Sequence, residues 1–426
     1  MLISKKATDS LSIGCHLGSA IGQVSHQLYH PEHNPNGAIN LGLAHNDLLQ
    51  DEIVKKAQSC LEIQPFDVNY GSPQGSKELR EIFQAFFTRH FKPFYPLDWS
   101  DIYMQTGAGA SVNQLVSAVS DPRDYCMIPV PYYGAFDLDV TVHTGVKIIK
   151  THPHSLTSPY VDMAKLEETY QQAQSEGRAI TSMIITSPDN PLGRCYRQQD
   201  LETFLTFASR HHIHVISDEI YALSTFAQTI DTSKSNPFVS ILSLDYKKFI
   251  DPALVHVIYG LSKDFAINGF RIGFIIDQFN DQLKRVLGRT SIFSFTSTIT
   301  DRLLCNLFRD VEWIDGYLAR NREALAMSYV KTTEFLNEHQ IGYIEAEAGM
   351  FFLVDTRSII RKKYHREATI EDEKKIWQNL IDAGVYLAPG YAFHVETPGF
   401  FRLTFSLEWE PLLRGLNAIV QVLNNY

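Results

Sequence analysis

A lysine that closes an apolar strand stands out chemically. Tyr259-Gly260-Leu261-Ser262-Lys263 places one there, and an ammonium buried behind a strand is expensive unless its charge is removed or paired. A Schiff base with a carbonyl compound removes the charge and makes the amine a covalent catalyst. Farther on, Asn268-Gly269-Phe270-Arg271-Ile272-Gly273 sets an arginine between two glycines. That spacing lets a guanidinium meet an anion closely and with two hydrogen bonds. The plain alternative is a surface turn that happens to carry one Lys and one Arg. Asp218 ends the run His214-Val215-Ile216-Ser217, and a carboxylate there needs a cation. A protonated pyridine nitrogen would serve and would strengthen that ring as an electron sink; otherwise Asp218 caps a helix.

Three more positions extend the pattern. Tyr221 and Asn190, the latter in Asp189-Asn190-Pro191-Leu192-Gly193, are placed to donate to a phenolic oxygen of the same ring. Turn chemistry alone also explains Asn-Pro and the nearby Gly. Thr106-Gly107-Ala108-Gly109-Ala110-Ser111 precedes a helix that includes Leu115, so its small residues can turn backbone N–H groups toward a phosphate. Arg402, inside Phe400-Phe401-Arg402-Leu403-Thr404-Phe405, requires an anion. A substrate carboxylate fits, and a structural ion pair is the alternative.

These residues fall at the ends of predicted strands. Strands are expected over 124–130, 145–149, 182–186, 213–216 and 255–259. Between them lie helix stripes at Met163, Leu166, Tyr170 and at Leu201, Phe204, Leu205, Ala208. This alternation predicts an α/β fold, a mostly parallel sheet with helices on both faces, in which ligands bind beyond the carboxyl ends of the strands. After about residue 305 the pattern changes. An amphipathic stretch covers 313–336, strand-like pieces come at 343–346 and 351–355, then a helix at 371–383, a strand at 400–406 and a last helix at about 411–423. The expected organisation is a large domain over 51–305 and a smaller α+β domain over 306–426, joined by the N-terminal segment 1–50.

Composition narrows the function classes. The formal net charge of −10, with cations spread along the chain, disfavours nucleic acid or an acidic membrane surface as partner. The five cysteines are widely spaced without a C-x-x-C pair, so no metal site is expected and reduced thiols in a cytoplasmic enzyme fit best. The stretch from Lys5-Lys6 through Leu11 to Gly22 faintly imitates a signal peptide, but Ser10, His16 and several glycines interrupt it.

Together, Ser187-x-x-Asn190-Pro191-x-Gly193, Asp218-Glu219-x-Tyr221, Ser262-Lys263 and Arg271-x-Gly273 resemble the class I/II aminotransferases, pyridoxal-phosphate (PLP) enzymes of fold type I. The resemblance spans about residues 36–425. Asn40-Leu41-Gly42-Leu43-Ala44, Pro131-Tyr132-Tyr133-Gly134-Ala135-Phe136-Asp137 and the segments 255–264 and 389–402 look most like 1-aminocyclopropane-1-carboxylate (ACC) synthases and their relatives. The resemblance implies PLP as cofactor, carried by Lys263, with Asp218 and Tyr221 catalytic. It implies Gly109, Ala110, Ser262 and Arg271 at the phosphate, Tyr133 stacked on the ring and Asn190 at its oxygen. Arg402, with Ala44 and His45, would meet an amino-acid substrate. Tyr70 would reach the phosphate of a second subunit, making a homodimer with shared active sites.

Two positions depart from that pattern. ACC synthases carry Glu where this chain has His45, and an imidazole cannot stand in for a carboxylate opposite a sulfonium cation. Many members have Ser where this chain has Gly260. The expected reaction is therefore conversion of an amino acid to its 2-oxo acid. An ACC synthase-like lyase or cyclase, or a carbon–sulfur lyase, is the alternative.

Overall fold

The computed structural model describes residues 3–30, 32–156, 160–231 and 236–426. After a short strand β1 (Ile39–Asn40) come seven that form one sheet: β2 (Ile102–Gln105), β3 (Tyr125–Pro129), β4 (Lys147–Thr151), β5 (Ile180–Thr186), β6 (His214–Asp218), β7 (Val255–Gly260) and β8 (Gly273–Ile276). Their order is β2-β8-β7-β6-β5-β3-β4. β8 runs antiparallel to both neighbours and the remaining pairs are parallel.

The strands are apolar almost throughout because both faces are covered. Neighbouring side chains go to opposite sides. Met183, Ile185, Val215, Val257, Phe274 and Ile276 pack into one cluster, while Ile184, Ile216, Ile258 and Ile275 pack into another. The helix Ala108–Val119 adds Val112, Leu115 and Val116 to the second. The helix Gln198–His211 adds Leu201, Phe204, Leu205 and Ala208 to the first, the stripe expected from sequence.

Beyond the sheet lie β9 (Gly342–Tyr343), β10 (Phe351–Asp355), β11 (Val385–Tyr386), β12 (Ala388–Pro389) and β13 (Phe400–Thr404). Four of them form an antiparallel sheet in the order β12-β13-β10-β9. β1 pairs in parallel with β11, and Ala20, Val24, Ile39 and Leu41 share an apolar cluster with residues of the C-terminal part. The helix Val311–Glu338 serves both bodies. Ile314, Tyr317 and Leu318 join the large-sheet cluster; Leu325, Ala326 and Leu336 join the smaller one.

Several boundaries differ from expectation. The strand expected from residue 145 begins at Lys147, because Gly145 takes φ +76° in the preceding turn. The piece expected over 343–346 shrinks to β9, which pairs through two residues with β10. The strand expected to run to residue 406 stops at Thr404. The stretch that imitates a signal peptide overlaps the helix His16–Val24, whose Ala20 and Val24 are buried.

Candidate active site

Three neighbouring parallel strands discharge into one cavity of about 360 Å³. β5 leads to Asn190, β6 ends on Asp218, and β7 runs into the one-turn helix Leu261–Asp264 that carries Ser262 and Lys263. The turn after β2 brings Ala108 and Gly109 to the same space.

Lys263 is half-buried, and its Nζ donates to the carbonyl oxygen of Ala44 at 2.6 Å. Burial, then the positive charges of Arg402 and Arg271, lower its pKa to about 8. Asp218 is 5% exposed; its Oδ1 accepts from the Ile220 N–H at 3.2 Å. Loss of water pushes its pKa to about 7, with Asp139 adding to the rise and Lys263 opposing it. The chain leaves β6 in a turn, not a helix, so Asp218 caps no helix. It is a buried carboxylate short of a cation.

Arg402 is 2% exposed on β13. Nη1 donates to Asn190 Oδ1 at 2.7 Å and Nη2 to the Gly42 carbonyl at 2.5 Å. Its guanidinium lies 4.7 Å from the Phe351 ring and 4.5 Å from that of Phe393. Among the described residues Nε has no hydrogen-bond partner, and burial lowers the pKa of the guanidinium. Among the described residues no carboxylate comes within ion-pair distance, so the structural ion pair is ruled out there. A buried guanidinium held by neutral oxygens is a receptor for an anion.

Arg271 adopts φ +58°, with Nη1 donating to Asn268 O at 2.9 Å and Nη2 to Thr106 O at 3.4 Å. Gly107, at φ +103°, makes room for it, since a Cβ there would lie 2.5 Å from Nη2. The guanidinium therefore sits against the N-terminus of the helix Ala108–Val119, where unpaired N–H groups favour an anion.

The other expected residues divide. Tyr133, Tyr221, Ser262 and Ala44 line the cavity, and burial pushes the Tyr133 hydroxyl to about 12 and raises that of Tyr221. Ala110 is not among the lining residues, but its N–H belongs to the first turn of the helix Ala108–Val119, whose donors have no intrahelical partner. His45 also lies outside. Its Nε2 is 3.1 Å from Asp47 Oδ2, and it borders a separate recess with Asp51, Glu52 and Glu408. Tyr70 is 97% exposed and lines no part of this cavity. At Gly260 a side chain would meet the Ile272 carbonyl oxygen at 2.9 Å, so the backbone leaves no space for the serine common in relatives.

Several lining residues were not singled out from sequence, Leu17, Ile21, Asp139 and Tyr386 among them. Leu17 and Ile21 come from the helix His16–Val24, and their i, i+4 spacing was the available signal. Asp139 stands within 3.2 Å of where a Gly109 Cβ would be, and burial raises its pKa to about 6. Tyr386 is fully buried, and its hydroxyl has no hydrogen-bond partner among the described residues.

The family described as aminotransferase class I and II matches residues 38–419. The chain belongs to this family. Among its aminotransferase-family relatives, 1-aminocyclopropane-1-carboxylate synthase CMW33 of Cucurbita maxima is 33% identical over 390 residues, 89% of this chain and 76% of that protein. The 1-aminocyclopropane-1-carboxylate synthase-like protein 1 of Homo sapiens is 31% identical over 409 residues, 93% of this chain and 78% of that one. In fold, the chain is similar to an aspartate aminotransferase mutant of Thermus thermophilus, with TM-score 0.77 and 19% identity over 99% of this chain and 100% of that one. An aromatic aminotransferase of Pyrococcus horikoshii gives 0.75 and 20%, covering 95% and 99%.

Proposed function

We propose that this aminotransferase-family enzyme binds PLP at Lys263 and converts an amino acid to its 2-oxo acid. The observation that carries the reading is a set of charges around one cavity that form no ion pair among the described residues: a depressed lysine, a buried carboxylate and two guanidiniums. The residues present fit the cofactor. Arg271, Ser262 and the N-terminus of the helix Ala108–Val119 would hold its phosphate, Tyr133 its ring face, Asp218 its pyridine nitrogen, and Tyr221 and Asn190 its phenolic oxygen. The room that Gly107 leaves for Arg271 is the structural sign of such a cradle. When bound, the cofactor supplies the electron sink for charge developing at the substrate α-carbon.

The chain's own residues do the rest. Arg402 fixes the α-carboxylate while Asn190 Oδ1 orients the guanidinium, which leaves Asn190 Nδ2 free to face the cavity. Asp218 keeps a proton on the nitrogen opposite it by offering the negative charge that burial otherwise disfavours. Lys263 Nζ, whose pKa is lowered to about 8 so that its neutral form is populated near that pH, takes the proton from the substrate α-carbon. Where that proton returns decides between transfer of the amino group and loss of a side-chain substituent.

A homodimer belongs to this proposal. Tyr70, Val68 and Phe66 are 97%, 75% and 58% exposed, and Phe293 is 87% exposed. Their segments are joined, since the Thr298 hydroxyl donates to the Asp67 carbonyl. So much exposed apolar surface calls for a cover, and a second copy would bring Tyr70 to the neighbouring phosphate site. A cytoplasmic setting is likewise proposed, supported by five cysteines that are all free and buried. No helix among the described residues is long and apolar enough to cross a membrane.

The names of the relatives favour a second reading, an ACC synthase-like lyase. An amino-acid panel scored separately for keto acid, released amine and ACC decides. Keto acid without ACC from S-adenosylmethionine is the expected result; strong ACC formation would replace transamination with the second reading.

A further inference from the structure

We propose that His394, with Asp137 and Tyr132, is a positioning cluster that clamps the turn carrying Tyr133 to the turn beside Arg402. It thereby fixes the span between the cofactor ring and the substrate carboxylate. The inference deepens the proposed transamination and rests on its assignment of Arg402 to that carboxylate. His394 Nε2 lies 3.1 Å from Asp137 Oδ1 and 3.0 Å from Oδ2. The Tyr132 hydroxyl donates to the same Oδ1 at 2.8 Å, and its ring lies 4.3 Å from the imidazole, tilted by 35°. Asp137 and His394 stand 257 positions apart in the chain. None of the three lines the cavity, so none meets the substrate directly.

The two turns also touch through their backbones. The Tyr132 N–H donates to the Phe393 carbonyl at 3.0 Å. A Cβ on Gly134 would lie 2.0 Å from the Ala392 carbonyl oxygen, so only glycine lets the chains come this close. On one side of the contact Tyr133, Ala135 and Phe136 line the cavity. On the other, the short helix Gly390–Phe393 follows β12, whose Ala388 pairs with Arg402. The Phe393 ring lies 4.5 Å from the Arg402 guanidinium. His394 ends that helix at φ +58°, a conformation costly for a residue with a side chain and kept where its surroundings over-determine it. Asp137, on the opposite turn, supplies that constraint with both carboxylate oxygens.

One backbone hydrogen bond sets the distance between the turns but leaves them free to pivot. A second attachment, made by side chains, removes that freedom. Burial raises the pKa of Asp137, but the bonds from His394 and Tyr132, with the charge of Lys150 adding, outweigh it and hold the carboxyl below its usual range. The anion that the cluster is built on therefore persists at neutral pH. Asp218 ends β6, and Lys263 lies in the one-turn helix that follows β7, so both stand outside the clamped turns. The cluster acts on substrate capture through Arg402 rather than on the proton transfer at Lys263.

The test is a double-mutant cycle on the holoenzyme: wild type, His394→Ala, Arg402→Ala and both together, with His394→Gln beside them. It reads kcat and KM for an amino acid that is turned over, and the Kd of propionate by calorimetry. His394→Ala should raise KM and the propionate Kd about 10-fold while kcat stays within about 3-fold. His394→Gln, whose amide nitrogen can stand where Nε2 stood, should restore most of the loss. Added to Arg402→Ala, the His394 change should cost nothing more, because residues that act as one unit are not additive. Should His394→Ala not fold, Tyr132→Phe, which removes one donor and keeps the ring, reads the same effect as a rise of about 3-fold in both constants. A lower melting temperature with unchanged KM and Kd, or an equal loss with and without Arg402, overturns the inference. Failure of the reading beneath it looks different: Arg402→Ala itself then leaves propionate binding unchanged, and the clamp falls with it.

Discussion

Arg402 Nη1 lies 2.7 Å from Asn190 Oδ1, joining a strand of the smaller sheet to the turn that leaves β5. The two residues are 212 positions apart, and neither is oriented without the other: the amide oxygen holds the guanidinium, and the guanidinium fixes which way the amide points. The same guanidinium reaches Gly42 O at 2.5 Å, so three segments of the chain converge on one buried guanidinium.

Arg402→Ala should therefore raise KM for amino acids. Lost charge-assisted hydrogen bonds are worth about 1.5–3 kcal/mol, or roughly 10- to 150-fold. Cofactor absorbance should persist, because Lys263 and the Arg271 cradle are untouched. Steady-state kinetics beside a cofactor titration reads both, and an unchanged KM across substrates removes Arg402 from the carboxylate site.

Asp218→Asn should separate function from stability. Its raised pKa of about 7 means the folded, cofactor-free protein holds a proton that the unfolded chain releases near the usual value of 3.8. That contribution is fully present below the unfolded value and lost as pH rises through about 7. Above pH 7 the cofactor-free Asn variant should melt higher than the wild type, while kcat of the loaded enzyme falls by about 100-fold or more. Melting curves at pH 5 and 8 together with kcat test this; near-normal turnover contradicts the role at the pyridine nitrogen.

Lys263 should set the pH course of cofactor attachment. The neutral amine is the nucleophile, and its pKa of about 8 rather than 10.5 makes that form available well below the usual range. Attachment of PLP to the cofactor-free protein, monitored by absorbance, should accelerate as pH rises toward about 8 and level off above it. A midpoint near 10.5 contradicts the depressed amine.

Tyr70 can be tested by complementation. Lys263→Ala and Tyr70→Ala subunits are each deficient, yet a mixed dimer with Tyr70 crossing over holds one complete site: Lys263 and Arg402 from one subunit, Tyr70 from the other. Activity should rise above that of either parent after verified subunit exchange. Exchange without recovery counts against the crossover.

Much of the fold and the site was legible in the sequence because the chemistry sits where strands end. The runs before Asn190, Asp218 and Lys263 are apolar on both sides of the sheet, and a polar residue closing such a run is conspicuous in one dimension. Arg402 was visible for the same reason, as a cation inside an aromatic strand. Leu17 and Ile21 were not, because nothing local says which surface an amphipathic turn covers; only the pairing of β1 with β11 and the docking of Ala20 and Val24 bring that helix over the cavity. His45 shows the converse. Its place in a motif suggested substrate contact, whereas the backbone after Ala44 turns it toward Asp47.

Lys263 as the residue that carries the cofactor is the central claim. Borohydride reduction of the PLP-loaded protein and subsequent peptide mapping test it directly. The expected result is a pyridoxyl label on the peptide containing Ser262-Lys263-Asp264, and none in Lys263→Ala. A label on another lysine, or retention of the label in that variant, would contradict it.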